Sequence, residues 1–268
     1  MGRRIVTRVP PSVGPSRRAA LLGIAAATTT TTAAVFGAGR ASAGGTGAVS
    51  VFAAISLRPA LDAIAAGWDG PVRVTYGGSG QIARQVAAGA PADVVVLAAA
   101  DWMDWLAARG HLDGAPVPVA ANALVLAGPT GSGPLGLTPA ALDARLGRGR
   151  FAMGDPASVP AGRYARAALR DLGLWPVLAD RLLLAENVRA ALAYVARGDV
   201  PLGCVYATDL AGTGAVAVAR IPPDAHPPIV YPAAATHRGG PAAAAFLAHL
   251  RAAAATFDAH GFARAPAA

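Results

Sequence analysis

The chain has 268 residues, 54% of them hydrophobic and 14% charged, and a formal net charge of +8 in which every Lys/Arg-type side chain is arginine. That length suffices for one large core or two smaller ones, and the charge taken globally points to a nucleic-acid or membrane binder. Position argues against both: Arg3, Arg4, Arg8, Arg17, Arg18 and Arg40 crowd a first stretch that lacks Asp and Glu, so the basic excess belongs mainly to a targeting segment.

Residues 1–43 have the three parts of an export signal: a basic region with Ser16, Arg17 and Arg18, a mildly apolar region from Ala19 to Gly39, and the small residues Ala41, Ser42 and Ala43 for cleavage. Ser16-Arg17-Arg18 with Leu21 behind it resembles the twin-arginine export signal, although Ala20 and Leu22 replace its usual Phe and Lys. No cysteine stands at the cleavage site for a lipid. The single cysteine, Cys204, permits no intrachain disulfide and falls in an apolar stretch, as a core thiol would. The mature protein, from about Gly44, is therefore expected to be soluble and periplasmic.

From Val49 the pattern is strand, helix, strand, helix. Val49 to Ala53 is apolar; Ser56 is an N-cap candidate for a helix with Pro59 in its first turn. Val72 to Tyr76 leads into Gly77, Gly78, Ser79 and Gly80, then a helix from Gln81 to about Ala88. Asp93 to Ala98 reads as a strand buried on both faces, and Trp102, Met103, Trp105 and Leu106 after it as core packing. Asn122 to Ala127 is a further strand, with the Gly/Pro-rich stretch 128–134 behind it as a linker.

The second half repeats the logic. Phe151 to Met153, a turn at Gly154, Asp155 and Pro156, and Val159-Pro160-Ala161-Gly162 opening a helix to Gly173 form one unit. Leu182 to Ala185 with a helix from Val188 to Gly198 forms the next; strands follow at 202–206, 216–221 and 229–235, and a closing helix from Pro241 to about Ala259. Alternating strands and helices imply an α/β class with largely parallel sheets, better satisfied by two sheets than by one.

Four strand-to-helix turns, at Ser56, Ser79, Ala161 and Val188, share one character: bare or hydroxyl-bearing helix N-termini without an obvious cationic ligand. Such turns gather outside the carboxyl ends of strands in α/β sheets, and their N–H groups favour anions. Asp155 is expected to order its own turn, and Arg84, Arg163 and Arg189 to be solvated or to bridge two lobes. An exported serine hydrolase is the competing class. It is disfavoured because Gly77-Gly78-Ser79-Gly80-Gln81 lacks the final Gly of a nucleophile elbow, and the five histidines show no zinc-motif spacing.

The residues also carry a resemblance. Val51-Phe52-Ala53-Ala54 with Ser56-Leu57, Ala83-Arg84-Gln85-Val86 with Ala88-Gly89-Ala90-Pro91-Ala92-Asp93, Gly154-Asp155-Pro156 with Val159-Pro160-Ala161-Gly162, Val188-Arg189 with Ala191-Leu192-Ala193, and Pro201-Leu202-Gly203 with Val205-Tyr206 together resemble the molybdate-binding proteins of molybdenum ABC importers. The resemblance implies a type II periplasmic-binding-protein fold, with two mixed, mostly parallel sheets, helices on both faces and a cleft between lobes. It implies lobe I from 44–124 and 229–268 and lobe II from 125–228. The implied ligand is molybdate or tungstate, bound by Ser56, Ser79, Ala161, Val188 and Tyr206, with no catalytic residue, cofactor or bare metal cation. The implied partners are the permease and ATPase subunits of an ABC importer; no nucleic acid is expected, and the protein should be a monomer. Sulfate or another tetrahedral oxyanion is the alternative ligand. Three positions depart from the pattern: Ile55 replaces a smaller residue, Gly78 and Gly80 flank Ser79 where hydroxyl residues are common, and Asn187 replaces an acidic one. The two glycines are expected to loosen their loop.

Overall fold

The computed structural model describes residues 47–266; the expected export signal lies outside them. The chain begins with β1 (Val49–Ala54), a single 3-10 turn at Ile55–Leu57 and α1 (Arg58–Ala66), then β2 (Val72–Gly77), α2 (Ser79–Ala87), β3 (Val94–Val96), α3 (Ala100–Ala107) and β4 (Leu112–Asn122). It continues through β5 (Leu124–Pro129), α4 (Pro139–Leu146), β6 (Phe151–Gly154), α5 (Pro160–Asp171), the short α6 (Trp175–Leu178), β7 (Leu182–Ala185), α7 (Val188–Ala196), β8 (Leu202–Tyr206) and β9 (Ala215–Arg220). It closes with β10 (Ile229–Thr236), α8 (Gly240–Ala252) and α9 (Ala254–Ala259).

Two five-stranded sheets result, in the orders β2-β1-β3-β10-β4 and β7-β6-β8-β5-β9. Both are mixed in the same way: three strands run parallel on one side, and the last two join antiparallel. In the first sheet the period-2 alternation of a strand feeds two cores. Val51, Ala53, Val94 and Val96 pack with Leu61 and Ile64 of α1 on one face, and Phe52 and Val95 with Ile82, Val86, Met103 and Leu106 of α2 and α3 on the other. Both faces are covered, which is why these strands read as continuous apolar runs.

Several local expectations change. Asn122 to Ala127 is not one strand: Asn122 ends β4 in the first sheet and Leu124 starts β5 in the second, so the chain crosses between sheets at Ala123. β4 itself was hidden by Pro116 and Pro118, which it tolerates as the edge strand of its sheet. The stretch after β5 is not merely a linker, because Thr138 accepts the Ala141 N–H at 3.2 Å and caps α4. The closing helix breaks at Ala253 into α8 and α9. Cys204 is a buried thiol whose pKa burial pushes up to about 12. No helix among the described residues is long and apolar enough to cross a membrane.

Candidate functional site

The carboxyl ends of β1, β2, β6 and β7 each lead within a few residues into a helical start, and the two sheets bring those starts face to face. Ser56, Ser79, Ala161, Val188 and Tyr206 all line one small cavity, together with Ala54, Ile55, Gly77, Gly78, Ala98, Val159, Pro160 and Asn187. None of these lining residues carries a formal charge.

Each contributor is built differently. Ser56 does not cap α1, whose N-cap is Leu57; it sits in the 3-10 turn, and its Oγ lies 3.1 Å from the Tyr231 hydroxyl. Ser79 is the first residue of α2, two residues earlier than the sequence suggested, and no side chain caps that helix. Its Oγ accepts the Ala98 N–H at 3.0 Å. An amide N–H can only donate, so the Ser79 hydroxyl keeps its own proton for another partner. Ala161 stands in the first turn of α5, also uncapped, where N–H groups have no intrahelical acceptor. Gly162 makes that start tight: a Cβ there would fall 2.0 Å from the Gly154 carbonyl oxygen. In α7 the Asn187 side chain takes the Ala190 N–H at 2.9 Å, while Val188, the first helical residue, lines the cavity and its N–H has no intrahelical acceptor.

Tyr206 closes the set from the end of β8. It is 1% exposed, and its hydroxyl finds no hydrogen-bond partner in the protein. Burial, with Tyr231, Tyr164 and Asp209 nearby, raises its pKa well above the ordinary tyrosine value, so the hydroxyl stays protonated. A buried donor without an acceptor is costly, about 1–3 kcal/mol. Among the side chains lining the cavity, Tyr206 alone has a buried polar atom without a partner.

Arg84 is exposed, lying over the Trp102 ring; the other two arginines are engaged elsewhere. Arg163 of α5 pairs with Asp101 of α3, donating from Nη2 to Oδ1 at 2.9 Å, and so bridges elements of the two sheets. Arg189 contacts the fully buried Asp209 with Nε 2.9 Å from Oδ1. Burial holds the Asp209 pKa up at about 7 against the lowering pull of Arg189 and the Tyr206 N–H. Asp155 orders its turn as expected, accepting the Ala157 N–H at 2.9 Å.

Two sequence expectations are overturned at this interface. Gly78 and Gly80 do not loosen their loop: a Cβ on Gly78 would lie 2.8 Å from the Glu186 carbonyl oxygen, and one on Gly80 2.6 Å from the Ser158 carbonyl oxygen and 2.7 Å from the Trp102 ring. They let the two sides touch. Trp102 is not simply core packing, because it is half-buried and its Nε1 donates to the Ser158 carbonyl at 3.2 Å, across the same contact. Tyr231 and Asn122, which hold Ser56 from behind, escaped the sequence reading because an apolar strand and a strand end give no local signal for them.

The match to the model for bacterial extracellular solute-binding proteins runs over residues 49–263. The chain belongs to that family. Within it, the chain is 40% identical over 200 residues to the molybdate-binding protein ModA of Escherichia coli K12, covering 70% of this chain and 77% of that one. Among solved structures of solute-binding proteins, the periplasmic molybdate-binding protein of Azotobacter vinelandii superposes with a TM-score of 0.71 at 24% identity, covering 81% of this chain and 100% of that one. The sulfate-binding protein SubI of Mycobacterium tuberculosis gives 0.64 at 18% identity, covering 80% and 86%. At those identities the two structures speak for the fold alone.

Proposed function

We propose that this protein is an exported, periplasmic receptor that captures molybdate, and tungstate as its close analogue, and hands it to the permease and ATPase subunits of an ABC importer. The observation that carries the reading is the Tyr206 hydroxyl, buried and unpartnered in an uncharged cavity with the hydroxyls of Ser56 and Ser79 and the N–H groups of Ala161 and Val188. The relative named ModA in Escherichia coli supports the choice of ligand. Each hydrogen bond to a charged group contributes roughly 1.5–3 kcal/mol, so five supply about 8–15 kcal/mol before association costs. That is compatible with micromolar or tighter binding.

In this reading residues 44–124 and 229–268 form lobe I and residues 125–228 form lobe II, a division supported by the strand membership of the two sheets. An anion binds the donors of one lobe, and hinge closure about the crossings near Ala123 and between Arg220 and Ile229 completes the shell with those of the other. A hydrolytic reading has less support, because Ser79 Oγ meets an amide N–H and Ser56 Oγ a tyrosine hydroxyl, neither of which is a general base at neutral pH. Residues 1–43 serve export by the twin-arginine route, and the mature protein acts as a monomer.

Isothermal titration of the purified protein with molybdate, tungstate, sulfate and phosphate tests the proposal. Saturable one-to-one binding of molybdate and tungstate with sulfate silent is the expected result. Tight sulfate binding would overturn the ligand while keeping the mechanism, and silence towards all four would overturn both.

A further inference from the structure

Behind Ser56 lies a polar chain, buried at Tyr231 and Thr208 and half-buried at Asn122, that does not line the cavity. Tyr231 of β10 is fully buried, and its hydroxyl touches both Ser56 Oγ and Asn122 Nδ2, each at 3.1 Å. Asn122 is the last residue of β4, where the chain crosses between sheets. Its Oδ1 accepts the Ala123 N–H at 2.9 Å, and its Nδ2 reaches Thr208 Oγ1 at 2.8 Å.

The direction of every bond in this chain follows from one fixed donor. The Ala123 N–H can only donate, so the Asn122 atom facing it is the oxygen, and the amide NH₂ faces Tyr231 and Thr208. The Tyr231 oxygen therefore accepts from Asn122. Its single proton is left for Ser56 Oγ, since turning it elsewhere would strand it in a fully buried site. Ser56 Oγ is then an acceptor towards Tyr231, and its own proton is free. Burial and nearby Asp209 raise the Tyr231 pKa, which keeps that proton in place.

We infer that Asn122 and Tyr231 are positioning residues for anion binding: a one-way relay that turns the Ser56 hydroxyl into an obligatory donor to the cavity. This rests on the reading of the cavity as an oxyanion site. It places Ser56 in the same state that the Ala98 N–H imposes on Ser79, by a longer route.

Reversing the first donor reverses the relay. In Asn122→Asp the carboxylate still accepts the Ala123 N–H but now also accepts from Tyr231, which must then accept from Ser56, and the Ser56 proton leaves the cavity. Molybdate affinity should fall by about ten- to a hundredfold, as for loss of one charge-assisted hydrogen bond. The added negative charge alone also weakens anion binding, so the decisive comparison is a double-mutant cycle with Tyr231→Phe, which cuts the relay. Tyr231→Phe alone should cost a few-fold, and Asn122→Asp should cost several-fold less in the Tyr231→Phe background than in the natural one. Equal cost in both backgrounds would overturn the relay.

A neutron structure of the deuterated, ligand-free protein reads the same point without any ligand. Deuterium between Tyr231 Oη and Ser56 Oγ, bonded to Tyr231, supports the relay; deuterium on Ser56 pointing at Tyr231 overturns it. Failure of the natural protein to bind molybdate would refute the proposed ligand, and the neutron map would still decide the relay.

Discussion

Tyr206→Phe separates ligand binding from folding more cleanly than any other substitution in this protein. The change removes one oxygen and leaves the ring, which packs at 6.0 Å between centroids from Tyr231. In the ligand-free protein that oxygen has no protein partner, so its loss breaks no bond and removes a polar atom from a site only 1% exposed. Had the hydroxyl held the fold through a hydrogen bond, its loss would cost about 1 kcal/mol, or roughly 2–4 °C for a chain of this size. The expected thermal midpoint without ligand is instead unchanged or higher. With molybdate the sign turns: loss of one donor to a dianion costs about 1.5–3 kcal/mol, a factor of roughly ten to a hundred and fifty in Kd. Isothermal titration and thermal unfolding of both proteins, with and without ligand, check the pair of effects. A lower ligand-free midpoint with unchanged affinity would refute the placement of Tyr206 in the site and make it a structural tyrosine.

The remaining contacts give three further expectations. Gly80→Ala pushes a Cβ onto the Ser158 carbonyl and the Trp102 ring; it should obstruct closure and weaken molybdate binding by at least tenfold, while the ligand-free midpoint stays within about 2 °C, measured by the same two assays. Asp101→Asn removes the bridge to Arg163, whose side chains are 53% and 28% exposed; such a pair contributes at most about 1 kcal/mol, so stopped-flow release of ligand should quicken no more than about fivefold and the difference should fade in high salt. Since burial raises the Tyr206 pKa above that of an ordinary tyrosine, its proton is retained as pH rises; above about pH 8.5, where the neighbouring Asp209 with its pKa of about 7 has already taken up its charge, molybdate affinity should stay level to about pH 10, where an unperturbed tyrosine would be half ionised and would repel the anion.

The parts of this site that were legible in the sequence are those with a local signature. A short apolar strand followed by Gly, Ser, Asn or Pro at a helix start marks itself within ten residues, and four such turns located Ser56, Ser79, Ala161 and Val188 along the chain. What each side chain does there was less legible. Ser56 looked like an N-cap because hydroxyls commonly cap helices, yet a 3-10 turn intervenes and its partner is Tyr231, 175 residues away. The Asn122 to Tyr231 contact spans 109 residues, and neither end differs locally from an ordinary strand residue. β4 was missed for the opposite reason. Its prolines are sound evidence against a central strand, and only the sheet order shows that this one is an edge. Gly78 and Gly80 signal freedom in the sequence because glycine is permissive in isolation, whereas the constraint on them comes from Glu186, Ser158 and Trp102 on facing elements.

The electrostatic logic of the proposed site favours one protonation state over total charge. Arg163 and Arg189 lie close by but are held by Asp101 and Asp209, and none of the residues lining the cavity is cationic. Ser79 accepts from Ala98, Ser56 accepts from Tyr231 in the relay inferred above, and Tyr206 has nothing to accept. Each of the three hydroxyls lining the cavity is then free to donate. A fully deprotonated tetrahedral dianion satisfies all of them. A hydrogen phosphate brings a proton of its own, which meets another donor and goes unbonded at a cost of about 1–3 kcal/mol. Molybdate and sulfate share charge and shape, so between them the site must choose by size, and the approach distance of its two walls sets that size. Gly78 and Gly80, the points where those walls touch, are therefore where selectivity between the two oxyanions should be adjustable by adding a single methyl group.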